Sequence, residues 1–175
     1  MHSQVLVPNG AGLYNDFTGQ YPASGNPYEK IDDGASHDGD STYIYHDDPD
    51  YPGQAEFVLS DAVHIGTIQS VELHCVGKRV DAPYGNSVEA ILVVDGTEYV
   101  DGSYSLGTSY ADHSQTFLVN PKTSVAWSWA DIDALKARIY VEITTSGELW
   151  FTSLYVIVNH TIPSSGGAQI IGLGL

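Results

Sequence analysis

The sequence predicts an all-β protein: a single antiparallel β-sandwich, jelly-roll-like, with one short helix near residues 129–137. Three observations carry this. Tyrosine (12) and glycine (18) are abundant against one methionine, a composition suited to strands joined by tight turns. Apolar side chains alternate with polar ones in several short segments, and turn signals recur about every ten residues. No period of 20 to 50 residues repeats.

The elements follow in order. Thr42–His46 is the first firm strand, and Ala55–Ser60 follows a Pro-Gly turn. In Ile68–Gly77, Val71, Leu73 and Cys75 alternate with Glu72 and His74, so one face is core and the other wet. Val88–Asp95 is strongly apolar and ends in Asp95-Gly96, which favours a tight hairpin into Thr97–Val100. Gln115–Val119 is the next strand. In Ala137–Thr145, Ile139, Val141 and Ile143 face inward and Arg138, Tyr140 and Glu142 outward; Leu149–Val158 closes the core. Ser128 with Asp131 three residues on reads as a capping-box-like helix start, after which Trp129, Ile132 and Leu135 share a face.

At 175 residues the chain is one domain by length, able to bury roughly 70% of its unfolded surface without staples. Its expected organisation is an arm at residues 1–30, the sandwich at 31–162 and a tail at 163–175. The arm is polar and punctuated by Pro8, Gly10, Gly12, Gly19, Pro22, Gly25 and Pro27, which predicts little structure of its own. The tail is a Gly/Ser hinge followed by apolar residues. The expected contacts with other copies are Val5, Leu6 and Val7 in the arm and Ile170, Ile171, Leu173 and Leu175 in the tail. Met1–Pro8 has no basic segment followed by an apolar one, so no secretory signal is expected there. No apolar run reaches the roughly twenty residues of a membrane-spanning helix.

Twenty-two acidic residues against six basic ones give a net charge of -16. Such a surface repels phosphate backbones and anionic lipid, so neither nucleic acid nor membrane is an expected partner. The lone Cys75 falls on the apolar side of its strand and reads as a small core residue rather than a nucleophile.

Seven aspartates lie between Asp32 and Asp50. Asp38, Asp40, Asp47 and Asp48 are the candidate ligands for calcium, because hard carboxylate oxygens on a Gly-rich loop suit it. The spacing is not that of an EF-hand, and a solvated acidic loop is the simpler reading, so no cofactor is expected. The seven histidines are scattered, no Gly-x-Ser-x-Gly occurs, and nothing points to a catalytic residue; the protein is read as no enzyme. Tyr84, Tyr104, Tyr110 and Trp127 lie in or beside loops and are candidates for stacking on a sugar, against the plainer reading that such rings suit half-buried strands.

The acidic turn Asp32–Ile44 (Asp-Asp-Gly…Asp-Gly-Asp-Ser-Thr-Tyr-Ile) and the segment Asn120–Ala137 (Asn-Pro…Ala-Trp-Ser-Trp-Ala-Asp-Ile-Asp-Ala-Leu-Lys-Ala) resemble those of tailed-bacteriophage virion structural proteins, β-sandwich proteins of the head or tail surface. The likeness spans about residues 29 to 160. It implies a non-enzymatic capsid decoration or tail-surface subunit, a homo-oligomer that contacts other virion proteins through its terminal arms, located on the virion. Two other readings stay open: a β-sandwich module that recognises a host-surface glycan, and a self-assembling extracellular filament subunit. Two or three tyrosines or tryptophans aligned on one solvent-facing sheet would favour the glycan module.

Overall fold

Strand alternation becomes two packed sheets in the computed structural model, which describes residues 1–81, 85–100, 102–144 and 147–162. Among these the strands are β1 (His2–Leu6), β2 (Pro8–Asn15), β3 (Gly19–Tyr21), β4 (Tyr43–His46), β5 (Gly53–Leu59), β6 (Thr67–Arg79), β7 (Asn86–Val94), β8 (Thr97–Tyr99), β9 (Ala111–Phe117), β10 (Lys136–Ile143) and β11 (Leu149–Thr161). Sheet A runs β3-β4-β11-β6-β9, with β1 also paired to β11; sheet B runs β2-β5-β10-β7-β8. Every pairing between these strands is antiparallel. The protein is an antiparallel β-sandwich.

The spine of sheet A is the β6–β11 pair, 13 residues in each strand. Its register runs from Leu149 opposite Arg79 to Thr161 opposite Thr67, shifted between Phe151 and Ser153 and between Asn159 and His160. The alternation predicted for β6 holds: Val71, Leu73 and Cys75 are fully buried, and Glu72 and His74 are not. In sheet B, Ile139 and Val141 of β10 are likewise fully buried. The two inner faces interdigitate into one core around Phe57, Leu92, Phe151 and Leu154. Asp95 (φ 45°) and Gly96 (φ 75°) make the predicted tight turn between β7 and β8.

The helix α1 (Trp129–Asp133) is shorter than the segment expected at 129–137. Its start is as read. The Ser128 hydroxyl accepts from the Asp131 amide (3.2 Å), and the Asp131 carboxylate accepts from the Ser128 amide (2.8 Å). It stops early because Lys136 already pairs with both Val58 and Val93. Two sheet partners outweigh the helix preference of Ala134-Leu135-Lys136-Ala137.

The N-terminal thirty residues are not the loose arm the sequence suggests. β1 pairs with β11, β2 with β5 and β3 with β4, and a 3₁₀ turn at Pro27–Lys30 leads into Ile31, which is fully buried. The glycines and prolines punctuate crossings between sheets. Where the chain passes from sheet A to sheet B, the Ser60 amide donates to the Val7 carbonyl (2.8 Å). Leu6 is spent on the protein's own core at 2% exposure, Val7 is half-buried, and Val5, at 47% exposed, is the most open of the three expected contacts. Ile170, Ile171, Leu173 and Leu175 fall outside the described residues.

β2 also does something no local pattern announces. Its register against β5 slips between Ala11 and Asn15, and residues 12–14 ride over the outer face of sheet B. The Leu13 amide donates to the Glu56 carboxylate (3.0 Å), and the Tyr14 ring sits 4.3 Å from the Arg138 guanidinium carbon. Beneath them Arg138 donates to Glu56 (2.8 Å) and to Glu98 (2.7 Å). Arg138 therefore points outward, as its place in β10 requires, yet is buried.

Candidate functional site

The outer face of sheet A collects the aromatic side chains. In β4, Tyr43 and Tyr45 alternate with the buried Ile44 and His46, so both rings stand on the outside. In β11, Trp150 lies between the buried Leu149 and Phe151 and takes the same face. Register then sets the neighbours: Tyr21 opposite Tyr43, Trp150 opposite Tyr45, and Trp150 opposite Lys78.

The outcome is a column across four strands. Tyr21 stacks on Tyr43 (5.5 Å, 21° between planes) and Tyr43 on Trp150 (4.0 Å, 11°). The Lys78 ammonium lies 4.6 Å from the Trp150 ring and 4.5 Å from the Tyr110 ring. Stacked pairs and cation–π contacts of this kind are each worth about 0.5–1.5 kcal/mol. The column holds its rings upright, and the free ring face is at its end: Tyr21 is 52% exposed. Tyr45 is tilted from Tyr43 (57°, 6.3 Å) and packs over Gly19, where a Cβ would come within 2.5 Å of the ring.

Polar groups fix the column's margins. The Trp150 indole N–H donates to Glu148 (2.6 Å), and Asp40 accepts from Lys78 (2.5 Å) and from the Tyr110 hydroxyl (3.0 Å). Those two hydrogen bonds hold the Asp40 carboxyl below its ordinary pKa. Burial, helped by the charges of Glu148 and Asp40, raises the Tyr43 phenol above its own. Tyr43 therefore presents a neutral hydroxyl at neutral pH, able both to donate and to accept.

Further along the same face lies a polar row. The His74 ring stacks on Tyr155 (4.5 Å, 8°), and its Nδ1 is 3.0 Å from Asp112, which also accepts from the Tyr155 hydroxyl (3.1 Å). Burial and the neighbouring Asp112 push the Tyr155 phenol up to about 12. The Asn159 amide donates to Glu72 (2.6 Å). A loop crosses beside this row, pinned by Ser153 donating to the Gly34 carbonyl (2.7 Å) and Thr152 to the Thr42 carbonyl (3.1 Å).

The residues singled out from the sequence land in different places. Tyr110 closes the column. Tyr104 stacks on His113 (3.8 Å) at the flank of the sandwich. Trp127 is corrected: it is 5% exposed, because its indole N–H finds the Phe117 carbonyl (3.1 Å) and its ring joins the core. It has no face for a sugar. Tyr84 lies outside the described residues.

The four candidate calcium ligands do not converge. Asp38 accepts from the Thr42 amide and hydroxyl, Asp40 is held as above, Asp48 accepts from the Asp50 amide (2.9 Å), and Asp47 is exposed. Among the described residues no three of His, Cys, Asp and Glu gather as a metal site. These carboxylates organise turns.

Sequence reasoning names Tyr43 and Tyr45 among the ring-bearing residues near loops but misses Tyr21, Trp150 and Lys78, and with them the column. The alternations Tyr43-Ile44-Tyr45 and Leu149-Trp150-Phe151 were the signal available. They give the face of each ring but not the order β3-β4-β11-β6 that brings them together.

No family model matches the chain, and no curated protein matches it. Similar solved structures include a family 16 carbohydrate-binding module (TM-score 0.46, 10% identity, 68% of this chain and 78% of that one) and a CBM4 (0.45, 11%, 70% and 86%). A third is the enzymatically active domain of tailspike protein 4 of bacteriophage CBA120, at TM-score 0.43 and 11% identity over 90% of this chain but 19% of that one. At this identity the likeness concerns the fold, and the site stands on its own geometry.

Proposed function

We propose that the protein is a non-catalytic carbohydrate-binding module whose ligand lies across the outer face of sheet A. The supporting observation is the row Tyr21, Tyr43, Tyr45 and Trp150, contributed by three neighbouring strands to one face. In this reading the free Tyr21 face carries the apolar side of a sugar ring, and the hydroxyls of the neighbouring Tyr43 and Tyr45 meet its hydroxyls. The rings are held in place before any ligand arrives, which lowers the ordering cost of binding. With a net charge of -16, the ligand is a neutral glycan, since sulfated or uronate polymers are repelled.

The arm-mediated virion role expected from the sequence has no comparable observation behind it. Residues 2–21 are tied into the two sheets, and residues 163–175 lie outside the described ones.

The test is affinity electrophoresis and calorimetry against neutral polysaccharides (β-glucan, xylan, mannan, galactan), with Tyr21→Ala as the probe. Tyr21 is half exposed, so the fold survives its loss. About tenfold weaker binding, about 1.4 kcal/mol, is expected. Wild-type protein that retains none of these polymers overturns the proposal, as does a Tyr21→Ala variant binding as wild type.

A further inference from the structure

β9 breaks the rule that makes the rest of the sandwich dry. Its inward positions are those opposite the core residues Cys75, Leu73 and Val71, namely His113, Gln115 and Phe117, because paired residues share a face. Two of these three are polar, in the row where the sheet needs apolar side chains. Both are half-buried rather than sealed.

What they line is a cleft of about 160 Å³ at the open flank between the sheets, bounded by Ala90, Ser103, Tyr104, His113, Ser114 and Gln115. Sheet B leaves the gap. β8 pairs with Leu92–Val94 and Tyr104 bridges to Val88, and among the described residues no strand pairing covers the edge of β7 at Ala90 between them. One wall is the Tyr104–His113 stack, 3.8 Å apart and 15° from parallel. Among the described residues, the inward side chains of His113 and Gln115 make no hydrogen bond to protein. Polar groups turned toward a core ordinarily have partners.

We infer that this cleft is a second binding site, for a single neutral, hydroxyl-rich ring such as one monosaccharide residue. Size sets the upper limit: clefts for drug-sized molecules run to roughly 300–1,000 Å³, so this one takes one ring and no chain. Charge sets the class. Among the described residues no carboxylate or ammonium lines it, and burial holds His113 below its ordinary pKa, which favours the neutral ring at pH 7. Gln115 and Ser103 supply donors and acceptors, and the stacked Tyr104–His113 wall supplies an apolar surface. The cleft stands whether or not the aromatic face of sheet A binds a glycan, since the two share no residue.

The experiment is an amide and side-chain NMR titration of the full chain with the methyl pyranosides of glucose, galactose and N-acetylglucosamine. Expected are saturable shifts at Ser103, His113 and Gln115 with at least one sugar. Gln115→Leu, which fills the cleft with an apolar group, removes them, and Tyr21→Ala leaves them in place. Ser103→Trp at the exposed rim is the second variant; it blocks the mouth without touching the core and also removes them. No saturable shift at these residues with any of the three sugars overturns the inference. Shifts confined to Tyr21, Tyr43 and Trp150 overturn it too, while upholding the aromatic face.

Discussion

The outer face of sheet B offers the sharpest test of how the fold is held. Arg138 and Glu56 are both nearly sealed, with side chains 7% and 3% exposed. Replacing Arg138 with Met keeps much of the volume under Tyr14 but leaves the Glu56 carboxylate buried with one fewer donor. Breaking a buried pair from one side costs about 3–5 kcal/mol. Glu56 keeps the Leu13 amide and Lys136 (3.0 Å each), which places the loss at the lower end, about 3 kcal/mol. Glu98, half exposed, rehydrates and adds little. At about 2–4 °C per kcal/mol for a domain of this size, the melting midpoint falls by about 6–12 °C. The double variant Arg138→Met, Glu56→Gln removes both charges and recovers most of the loss, a coupling of about 2 kcal/mol. Denaturant unfolding of the four proteins at constant slope reads these values. A single variant costing under about 1 kcal/mol, or a strictly additive double, refutes the view that this pair is desolvated and interdependent.

The same carboxylate predicts the acid limb. Burial pushes the Glu56 pKa up, but hydrogen bonds from Arg138, the Leu13 amide and Lys136 outweigh it, and the folded value lies below the ordinary 4.5. Its contribution is therefore present above the unfolded pKa and lost as pH falls through the folded one, so Glu56→Gln flattens stability against pH below about 4.5 in pH-dependent unfolding curves. Burial pushes the Cys75 thiol up to about 12, and a disulfide reagent modifies it in denaturant but not in the native protein at pH 8; fast native labelling contradicts this burial. Gly66 has φ 70°, and a Cβ there would collide with the Thr161 carbonyl, so Gly66→Ala lowers the denaturant midpoint and raises hydrogen exchange at Thr161 first. An unchanged midpoint speaks against that contact.

Much of this fold was legible because its signals are local. The β6 alternation around Leu73, the Asp95-Gly96 turn and the Ser128/Asp131 cap each sit within a few residues of one another, and each has one physical reading. What escaped depends on chain segments far apart. β1 to β3 carry few apolar residues, and only pairing with β11, β5 and β4 makes strands of them. The strand expected at Gln115–Val119 lies instead at Ala111–Phe117, with Leu118 and Val119 exposed, because the edge position of β9 and its polar inward residues His113 and Gln115 are tertiary facts. Alternation gives the face of Arg138 but not its burial, since the cover is β2, more than a hundred residues earlier. Among the aromatics, burial of Trp127 turns on one carbonyl ten residues away, and the Tyr43–Trp150 stack turns on a register that no pattern in either strand contains.

The central claim is that the upright rings of sheet A meet a sugar. The most direct measurement is intermolecular NOE mapping with a neutral oligosaccharide that the affinity survey selects. Contacts are expected from sugar ring protons to Tyr21 and Tyr45 and to the Trp150 edge, lost together in Tyr21→Ala. Binding whose contacts fall elsewhere on the surface, with those three rings unperturbed, would contradict it.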